Sequence, residues 1–276
     1  MEQICQAFGM SRQAYYQGRR RRARRRSREK RALKLVRQER RLQPRLGTRK
    51  LYDMYYKSLR HLRIGRDKLF GLLRRAGLLV RRRRRRRPRT TQSAHALDTR
   101  KNLLEEAEAP TGPGQVWVAD ITYVPTGSGF SYASLITDSY SRKIVGYDLS
   151  RSLALEGSVR ALRMALKAHP PEEGFIHHSD RGIQYCSDDY QRLAEKAGAA
   201  LSMTRGGDPY ANALAERVNG TIKVEYGLED RWASYDEAKR ALKEVVDLYN
   251  NRRPHDALDN KTPTWVHEGI RPAWAT

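Results

Sequence analysis

The sequence predicts an α/β fold built on a sheet of mixed strand direction, preceded by an all-α, strongly basic region. Residues 116–124, 130–138 and 143–149 form three consecutive strand patterns that are rich in β-branched and aromatic residues. Helix and strand patterns then alternate, which is the order of an α/β sheet whose strands run in both directions. Before residue 105 the composition is different, because arginine is abundant and apolar residues recur at helical spacing.

Charge is distributed very unevenly along the chain. The 276 residues have a net charge of +24, but residues 1–101 hold 35 Lys and Arg against 6 Asp and Glu, whereas the remainder holds 20 against 25. A solvated surface usually mixes both signs, so the basic region predicts binding to a polyanion with affinity that falls as salt rises. A disordered basic tail is the alternative interpretation.

Composition also excludes several classes of protein. No run of 18 or more apolar residues is present, and the first residues lack the apolar stretch of a secretory signal. We therefore expect a cytoplasmic protein that is associated with the nucleoid. The two cysteines, Cys5 and Cys186, lack the spacing of a zinc site or a disulfide framework, so they are expected to pack as small apolar residues.

The N-terminal region is predicted to contain helix-turn-helix modules. Two short helices, residues 2–8 and 11–17, surround a glycine, and another helical stretch follows an arginine-rich segment at residues 27–42. A clearer helical pair covers residues 47–56 and 66–76. The second helix of this pair has an apolar stripe of three leucines and a basic opposite face. The basic residues of that face, which are our candidates for DNA contact, are Arg66, Lys68, Arg74 and Arg75.

Residues 81–104 are predicted to form an arginine-rich linker. The linker begins with seven consecutive arginines: Arg81, Arg82, Arg83, Arg84, Arg85, Arg86 and Arg87. Like charges at this density repel one another and keep a segment extended when it is unbound. We expect the linker to lie along a DNA phosphate backbone, for example in a minor groove.

The rest of the α/β region is predicted element by element after residue 149. The predicted helices are residues 155–168, 188–197, 209–226 and 235–251, and the predicted strands are residues 175–178 and 201–203. Three acidic residues stand out against this pattern. Asp120 lies late in the first strand, Asp180 follows the fourth strand directly, and Glu216 lies inside the helix at residues 209–226, with 35 residues between Asp180 and Glu216.

Carboxylates at the carboxyl ends of strands converge on a crevice of an open α/β sheet. Three such groups can hold two magnesium ions about 4 Å apart, since magnesium prefers hard oxygen ligands and keeps several waters. The helix that contains Glu216 fits this arrangement, because Leu214, Val218 and Ile222 share one side. The opposite side consists of Asn212, Glu216, Asn219 and Lys223, with Lys223 and the two asparagines as candidates for DNA contact. A surface helix with a polar outer face is the alternative.

Four segments resemble the motifs of a known family. Residues 178–185, His-Ser-Asp-Arg-Gly-Ile-Gln-Tyr, resemble the second-aspartate motif of DDE transposases and retroviral integrases. Residues 117–123 resemble their first-aspartate motif, and residues 210–225 resemble their glutamate motif. Residues 249–263, with Tyr-Asn-Asn-Arg-Arg-Pro-His and a later Thr-Pro, resemble the tail of the insertion-sequence-three (IS-three) family.

The resemblance implies a ribonuclease H-like mixed five-stranded catalytic core preceded by helix-turn-helix DNA-binding modules. It also implies two Mg²⁺ ions, with Mn²⁺ as a substitute, nicking at the ends of an insertion sequence, and strand transfer by the freed 3′-hydroxyl. Asp120, Asp180 and Glu216 match the family's metal ligands, and Lys223 matches a basic residue that approaches DNA. The expected partners are double-stranded transposon ends and target DNA, with a homo-oligomer assembled on them.

This interpretation divides the chain into four segments. They are a helical DNA-binding region (1–80), the linker (81–104), an integrase-like catalytic core (105–230), and a C-terminal helix and tail that complete the core (231–276). Two departures from the family patterns are present: Ala211 replaces a frequent aspartate, and the zinc module of retroviral integrases is absent from the sequence. The truncated look of residues 2–17 fits a second-reading-frame (OrfB) product with a first-reading-frame partner or fusion.

Other functions remain open at this point. A metal-dependent nuclease without strand transfer would use the same core, and a catalytically silent DNA-binding regulator or domesticated transposase would use the same basic region. A serine or cysteine recombinase is disfavoured, because no nucleophile is set among basic partners in a recognisable motif. His177 and His178 are adjacent on a strand and point to opposite faces, so they are not expected to share a metal ion.

Overall fold

The computed structural model describes residues 2–80, 100–204 and 212–275, and the chain divides into two compact units, residues 1–82 and 83–276. The predicted boundaries at residues 80, 104 and 230 stay a prediction. The seven arginines from Arg81 to Arg87 and the predicted helix start at residue 209 lie outside the described residues. The helix predicted at residues 209–226 is helical from Ala213 to Tyr226, and Asn212, which the prediction included, has non-helical backbone angles.

The N-terminal unit is entirely helical in the part that the structure describes. Its helices are α1 (Glu2–Ala7), α2 (Arg12–Leu42), α3 (Thr48–Met54), α4 (Tyr56–His61) and α5 (Arg66–Arg75). The unit has a leucine-rich core to which every helix from α2 onward contributes, and buried Glu39 accepts hydrogen bonds from Gln43 Nε2 at 2.8 Å and Tyr55 Oη at 2.5 Å. This core fixes the fold of a region whose sequence is strongly basic.

Two sequence predictions for this unit were wrong. The short helix at residues 11–17 and the stretch at residues 27–42 are one continuous helix, α2, because arginine favours helices and Gly18 does not interrupt it. The helix predicted at residues 47–56 is divided at Tyr55: α3 ends at Met54, and α4 begins at Tyr56. The helix that precedes α5 across the turn is therefore α4, and Arg63 in that turn adopts a left-handed conformation with φ of 56°.

Helix α5 has the two faces that the sequence predicts. Leu69, Leu72 and Leu73 are buried in the core of the unit. All four basic residues proposed as DNA contacts are exposed. Of these, Arg75 lies 3.6 Å from the carboxylate of Glu29.

The C-terminal unit is built on a five-stranded sheet. Its strands are β1 (Val116–Thr126), β2 (Gly129–Asp138), β3 (Ile144–Ser150), β4 (Ile176–Ser179) and β5 (Ala200–Met203). They are arranged in the order β3-β2-β1-β4-β5, where β2 is antiparallel to both β1 and β3, and β4 is parallel to both β1 and β5. The predicted mixed sheet is confirmed.

Helices cover both faces of this sheet. They are α6 (Leu155–Ala168), α7 (Asp188–Lys196), α8 (Ala213–Tyr226), α9 (Tyr235–Asn251) and α10 (Pro263–Glu268). Helices α8 and α9 pack on one face and α6 and α7 on the other, which gives two apolar cores. Val218 and Ile222 of α8 are buried in the first core, as the predicted apolar side of that helix requires.

Two segments outside the sheet bond to its outermost strands. Asn250 at the end of α9 accepts from the backbone N–H of Ile144 and donates to its carbonyl, both at 2.9 Å. On the other side, the N–H of Met203 donates to the carbonyl of Lys101 at 3.3 Å. Residues 100–104, the last part of the predicted linker, therefore pack against β5.

Among the described residues, no helix is long and apolar enough to cross a membrane. Cys5 and Cys186 are both buried and neither forms a disulfide in the described part of the chain, as expected for small apolar residues, and Cys186 lies in the core beneath α6 and α7.

Candidate active site

Asp120 lies in the middle of β1, on an interior strand of the sheet. The parallel register with β4 pairs Ala119 with Ser179, so Asp120 and Asp180 occupy equivalent positions on neighbouring strands. The Asp120 carboxylate accepts two hydrogen bonds, at Oδ1 from the N–H of Ile121 at 2.9 Å and at Oδ2 from Nδ2 of Asn219 at 2.6 Å. Strand pairing and these two bonds together fix the position of this side chain.

Asp180 is the first residue after β4, and the turn that follows it holds its carboxylate. The N–H of Gly182 donates to Oδ1 of Asp180 at 2.9 Å. A Cβ atom at position 182 would lie only 2.9 Å from that same oxygen, which explains the glycine in the motif as a requirement for close approach. Arg181 donates from Nε to the carbonyl of Thr204 at 2.8 Å and ties the turn to the end of β5.

Glu216 lies in the first turn of α8 and is exposed. This helix follows residues 205–211, which lie outside the described residues and include Tyr210 and Ala211 of the glutamate motif. The structure therefore shows that Glu216 lies near the start of α8, one turn before Asn219.

The three carboxylates influence one another electrostatically. Burial, followed by the charge of Asp180, raises the pKa of Asp120 to about 7, and the charge of Glu216 adds to this. The bonds from Asn219 and Ile121 oppose the rise, because they stabilise the ionised form. Burial also raises the pKa of Asp180, and Glu216 raises it further. Two partly buried aspartates whose pKa values are raised by desolvation and by neighbouring carboxylates are typical of a functional site.

The three carboxylates are chemically suited to bind a divalent cation. All three side chains offer hard carboxylate oxygens, and a bound cation would relieve their mutual repulsion. Within residues 2–80, 100–204 and 212–275, however, no three acidic, histidine or cysteine side chains lie close enough together to form a metal cluster. The charges of Asp180 and Glu216 thus affect the pKa of Asp120, but the three carboxylates do not converge on one point. Glu216, at the start of its helix, is the most exposed of the three.

The polar residues predicted to share one side of α8 have different surroundings. Asn212 and Asn219 are buried, and their amides donate to β1, at the carbonyl of Ala119 and at the carboxylate of Asp120. Lys223 is half-buried and close enough for the charge of Asp120 to oppose the lowering of its pKa by desolvation. The helical spacing predicted which residues share this side, but it did not predict the bonds to β1.

The residues around Asp180 have structural partners. His177 bonds through Nε2 to the hydroxyl of Tyr190 and His178 through Nδ1 to that of Ser202, both at 2.8 Å, and both imidazoles are buried. The two histidines thus have different partners, as expected for adjacent strand residues. Gln184 donates from Nε2 to the carbonyl of Leu153 at 2.5 Å, which fixes the loop after the aspartate.

The tail motif contacts the glutamate motif. Arg253 is buried and forms a bidentate ion pair with Glu225 of α8, with both N–O distances at 2.8 Å. This pair ties the end of α9 to the last turn of α8. The tail at residues 249–263 therefore supports the helix that carries Glu216.

Comparisons with known proteins show which family the chain is similar to. Residues 110–209 and 197–263 each match a family described as "Integrase core domain". The chain is 38% identical over 96% of its length to an uncharacterised 31 kDa protein of insertion element IS600 from Shigella sonnei, of which it covers 97%.

Two further relatives are called transposases. The transposase for IS629 of Shigella sonnei is 35% identical over 79% of this chain and 72% of its own length. Transposase InsF for IS3A of Escherichia coli K12 is 32% identical over 69% of this chain and 66% of its own. In structure, the chain is similar to a protein of the simian T-cell lymphotropic virus intasome, with a TM-score of 0.51, 15% identity, and coverage of 82% of this chain and 76% of that one. This likeness shows a ribonuclease H-like integrase fold.

Proposed function

The chain belongs to the integrase-core DDE transposases of the IS3 type, and on that basis we propose that Asp120, Asp180 and Glu216 are its catalytic, metal-binding carboxylates. The observation that carries this proposal is their electrostatic coupling, since the charges of Asp180 and Glu216 raise the pKa of Asp120 and that of Glu216 raises the pKa of Asp180.

The enzyme is a polynucleotidyl transferase, and the reaction has two displacements at phosphorus. Water first attacks a phosphodiester at the end of the insertion sequence, and the 3′-hydroxyl leaves. That 3′-hydroxyl then attacks a phosphodiester of the target DNA, and one new phosphodiester replaces the one that breaks. We propose two Mg²⁺ ions, replaceable by Mn²⁺, which would stabilise the charge that develops on the phosphate.

Within the protein, backbone and amide donors set up the carboxylates for this chemistry. Ile121 and Asn219 orient Asp120, and the Gly182 N–H orients Asp180. These neutral donors favour the ionised form of the two carboxylates and hold them in place without neutralising their charge. Lys223, on the same side of α8 as Glu216, supplies a positive charge for a DNA phosphate next to the cleft.

DNA binding is assigned to the basic N-terminal unit. We propose that Arg66, Lys68, Arg74 and Arg75 on α5 contact the ends of the element and that the arginines at residues 81–87 follow the phosphate backbone. Because two ends must be brought together, a homo-oligomer forms on the DNA, with a first-reading-frame segment as partner or fusion. The protein works on the chromosome, in the nucleoid.

A nicking and joining assay tests the proposal. Labelled duplex from the element's own end is incubated with the full chain and Mg²⁺, and wild type is compared with Asp180→Asn and with Asp189→Asn. Asp189 is a matched control, because it is an exposed aspartate nine residues further on that pairs with Arg192 at the surface. Loss of several kcal/mol of transition-state stabilisation predicts that Asp180→Asn cleaves about a thousandfold more slowly.

Each outcome of this assay has a distinct meaning. Nicked product that joins to a second DNA with wild type and Asp189→Asn, but not with Asp180→Asn, supports the assignment. Nicking without joining would favour a nuclease. Binding by wild type without cutting, even after the first-frame segment is added, would favour a DNA-binding regulator. An active Asp180→Asn enzyme would contradict the assignment of the carboxylates.

A further inference from the structure

Two buried asparagines join the helix that carries Glu216 to the strand that carries Asp120. Asn212 is the residue directly before α8, four residues ahead of Glu216, and Asn219 lies inside α8, three residues after Glu216 and on the same side. Each asparagine donates one hydrogen bond from Nδ2 to β1, and each leaves its Oδ1 without a partner among the described residues.

The two bonds have different acceptors. Asn212 donates to the backbone carbonyl of Ala119 at 3.0 Å, which is a structural bond between a helix and a strand. Asn219 donates to Oδ2 of the Asp120 carboxylate at 2.6 Å. Because Ile121 donates to Oδ1 of the same carboxylate, each oxygen of Asp120 accepts one bond, and the rotation of the carboxylate about its bond to Cβ is fixed.

We propose that Asn219 is a positioning residue that orients the Asp120 carboxylate for the divalent cation and couples it to the helix turn of Glu216. This inference rests on the proposed function. The donor is a neutral amide, so it orients the carboxylate without neutralising the charge that binds the cation. It also lies one turn after Glu216, so its bond joins the helix that carries Glu216 to the Asp120 carboxylate.

The expected effect is on cation affinity. Residues that hydrogen-bond to metal ligands typically contribute about 10- to 100-fold to affinity. Removal of the Asn219 amide should therefore raise the dissociation constant for Mn²⁺ by about 10- to 100-fold. It should also raise the Mg²⁺ concentration that half-saturates nicking, and excess Mg²⁺ should restore most of the rate.

The test compares Asn219→Ala with Asn212→Ala in the full chain. Both positions are buried, Asn212 directly before α8 and Asn219 inside it, and both variants remove one bond to β1, so both should lower the thermal stability. Binding of Mn²⁺ alone, without DNA, is measured by isothermal titration calorimetry, and nicking is measured across a Mg²⁺ series. Asn219→Leu, which keeps the side-chain volume but has no donor, is carried in parallel, and affinity is measured on whichever variant has the wild-type circular dichroism spectrum.

Weaker Mn²⁺ binding in the Asn219 variants, with wild-type affinity in Asn212→Ala, is the expected result. Equal affinity in all variants, or an equal decrease at both positions, would overturn the inference, because the bond to Asp120 would then have no role beyond docking the helix. Asp120→Asn separates this failure from that of the proposed function. If Asp120→Asn nicks DNA normally, the carboxylate assignment itself is wrong.

Discussion

The buried imidazole of His177 predicts that the C-terminal unit loses stability in acid. The substitution His177→Phe should remove much of this loss. The imidazole is 1% exposed on β4, bonds to Tyr190 through Nε2, and has no partner at Nδ1 among the described residues. Burial, with a smaller effect of the His178 charge, lowers the pKa of His177 from 6.5 to about 4. The folded protein therefore keeps this side chain neutral over a pH range in which the unfolded chain binds a proton.

The sign and size of the effect follow from this difference. As pH falls from 6.5 towards 4, the unfolded state takes up a proton that the native state does not, so the free energy of unfolding decreases. Between the two pKa values lie about 2.5 pH units, and each is worth about 1.4 kcal/mol, so the loss approaches about 3 kcal/mol. Above pH 6.5 the contribution is constant.

The assay is urea unfolding of wild type and His177→Phe at intervals from pH 7 to pH 4, followed by tryptophan fluorescence. All four tryptophans lie in the C-terminal unit, so the signal reports on the core alone. The stability difference between the two proteins should shift by about 3 kcal/mol in favour of His177→Phe across this range. Tyr190→Phe, which keeps the imidazole, should retain the wild-type slope, and parallel curves for wild type and His177→Phe would refute the reasoning.

Three further predictions concern charge, packing and DNA. With a chelator present at pH 8, Asp120→Asn should be more stable than wild type by up to about 4 kcal/mol, because burial makes the ionised form of Asp120 unfavourable and raises its pKa. In urea titrations, this difference in the free energy of unfolding should grow as pH rises from about 4 to 7. Gly146→Ala should lower stability by about 3 kcal/mol or more, since its Cβ would meet the carbonyl oxygen of Ala161, and urea unfolding measures this decrease. Replacement of Arg74 and Arg75 by Gln should reduce the salt dependence of DNA binding, measured by fluorescence anisotropy, by about 0.9 in the log–log slope for each phosphate that the variant no longer neutralises.

The fold of the catalytic core could be predicted closely, because its elements have clear periodicity. Strands β1, β2 and β3 contain the β-branched and aromatic residues of a half-buried sheet, and their bounds differ from the predictions by a few residues. The alternation of helices and strands from α6 to β5 then left few possible arrangements of the strands in the sheet. The sequence placed Asp120 in the first strand and Asp180 directly after the fourth, but it did not predict that these two strands are neighbours or that Asp120 lies in the middle of its strand.

The N-terminal unit was harder to predict because its arginines give no helical periodicity. Residues 19–28 look like a break in composition, but a long helix requires only good helix formers and a few buried positions, such as Ala32 and Val36 in α2. The split at Tyr55 depends on tertiary packing of α3 and α4, which no local pattern reveals.

The partners of the site residues could not be predicted from spacing. Spacing gives the side of a helix on which a residue lies, and it grouped Asn212, Asn219 and Lys223 as DNA contacts. Whether an amide on that side bonds to a strand or to a ligand depends on how closely the helix approaches the sheet. The 2.6 Å bond from Asn219 to Asp120 is a property of that approach.

The side-chain amide of Asn250 and the carbonyl of Lys101 also determine how copies of this protein can meet. The outer strands β3 and β5 would otherwise present free N–H and C=O groups, which are templates for pairing with a strand of another molecule. Asn250 occupies both backbone groups of Ile144, and the segment at Lys101 occupies the N–H of Met203. These contacts therefore protect the sheet at these two points from extension and aggregation.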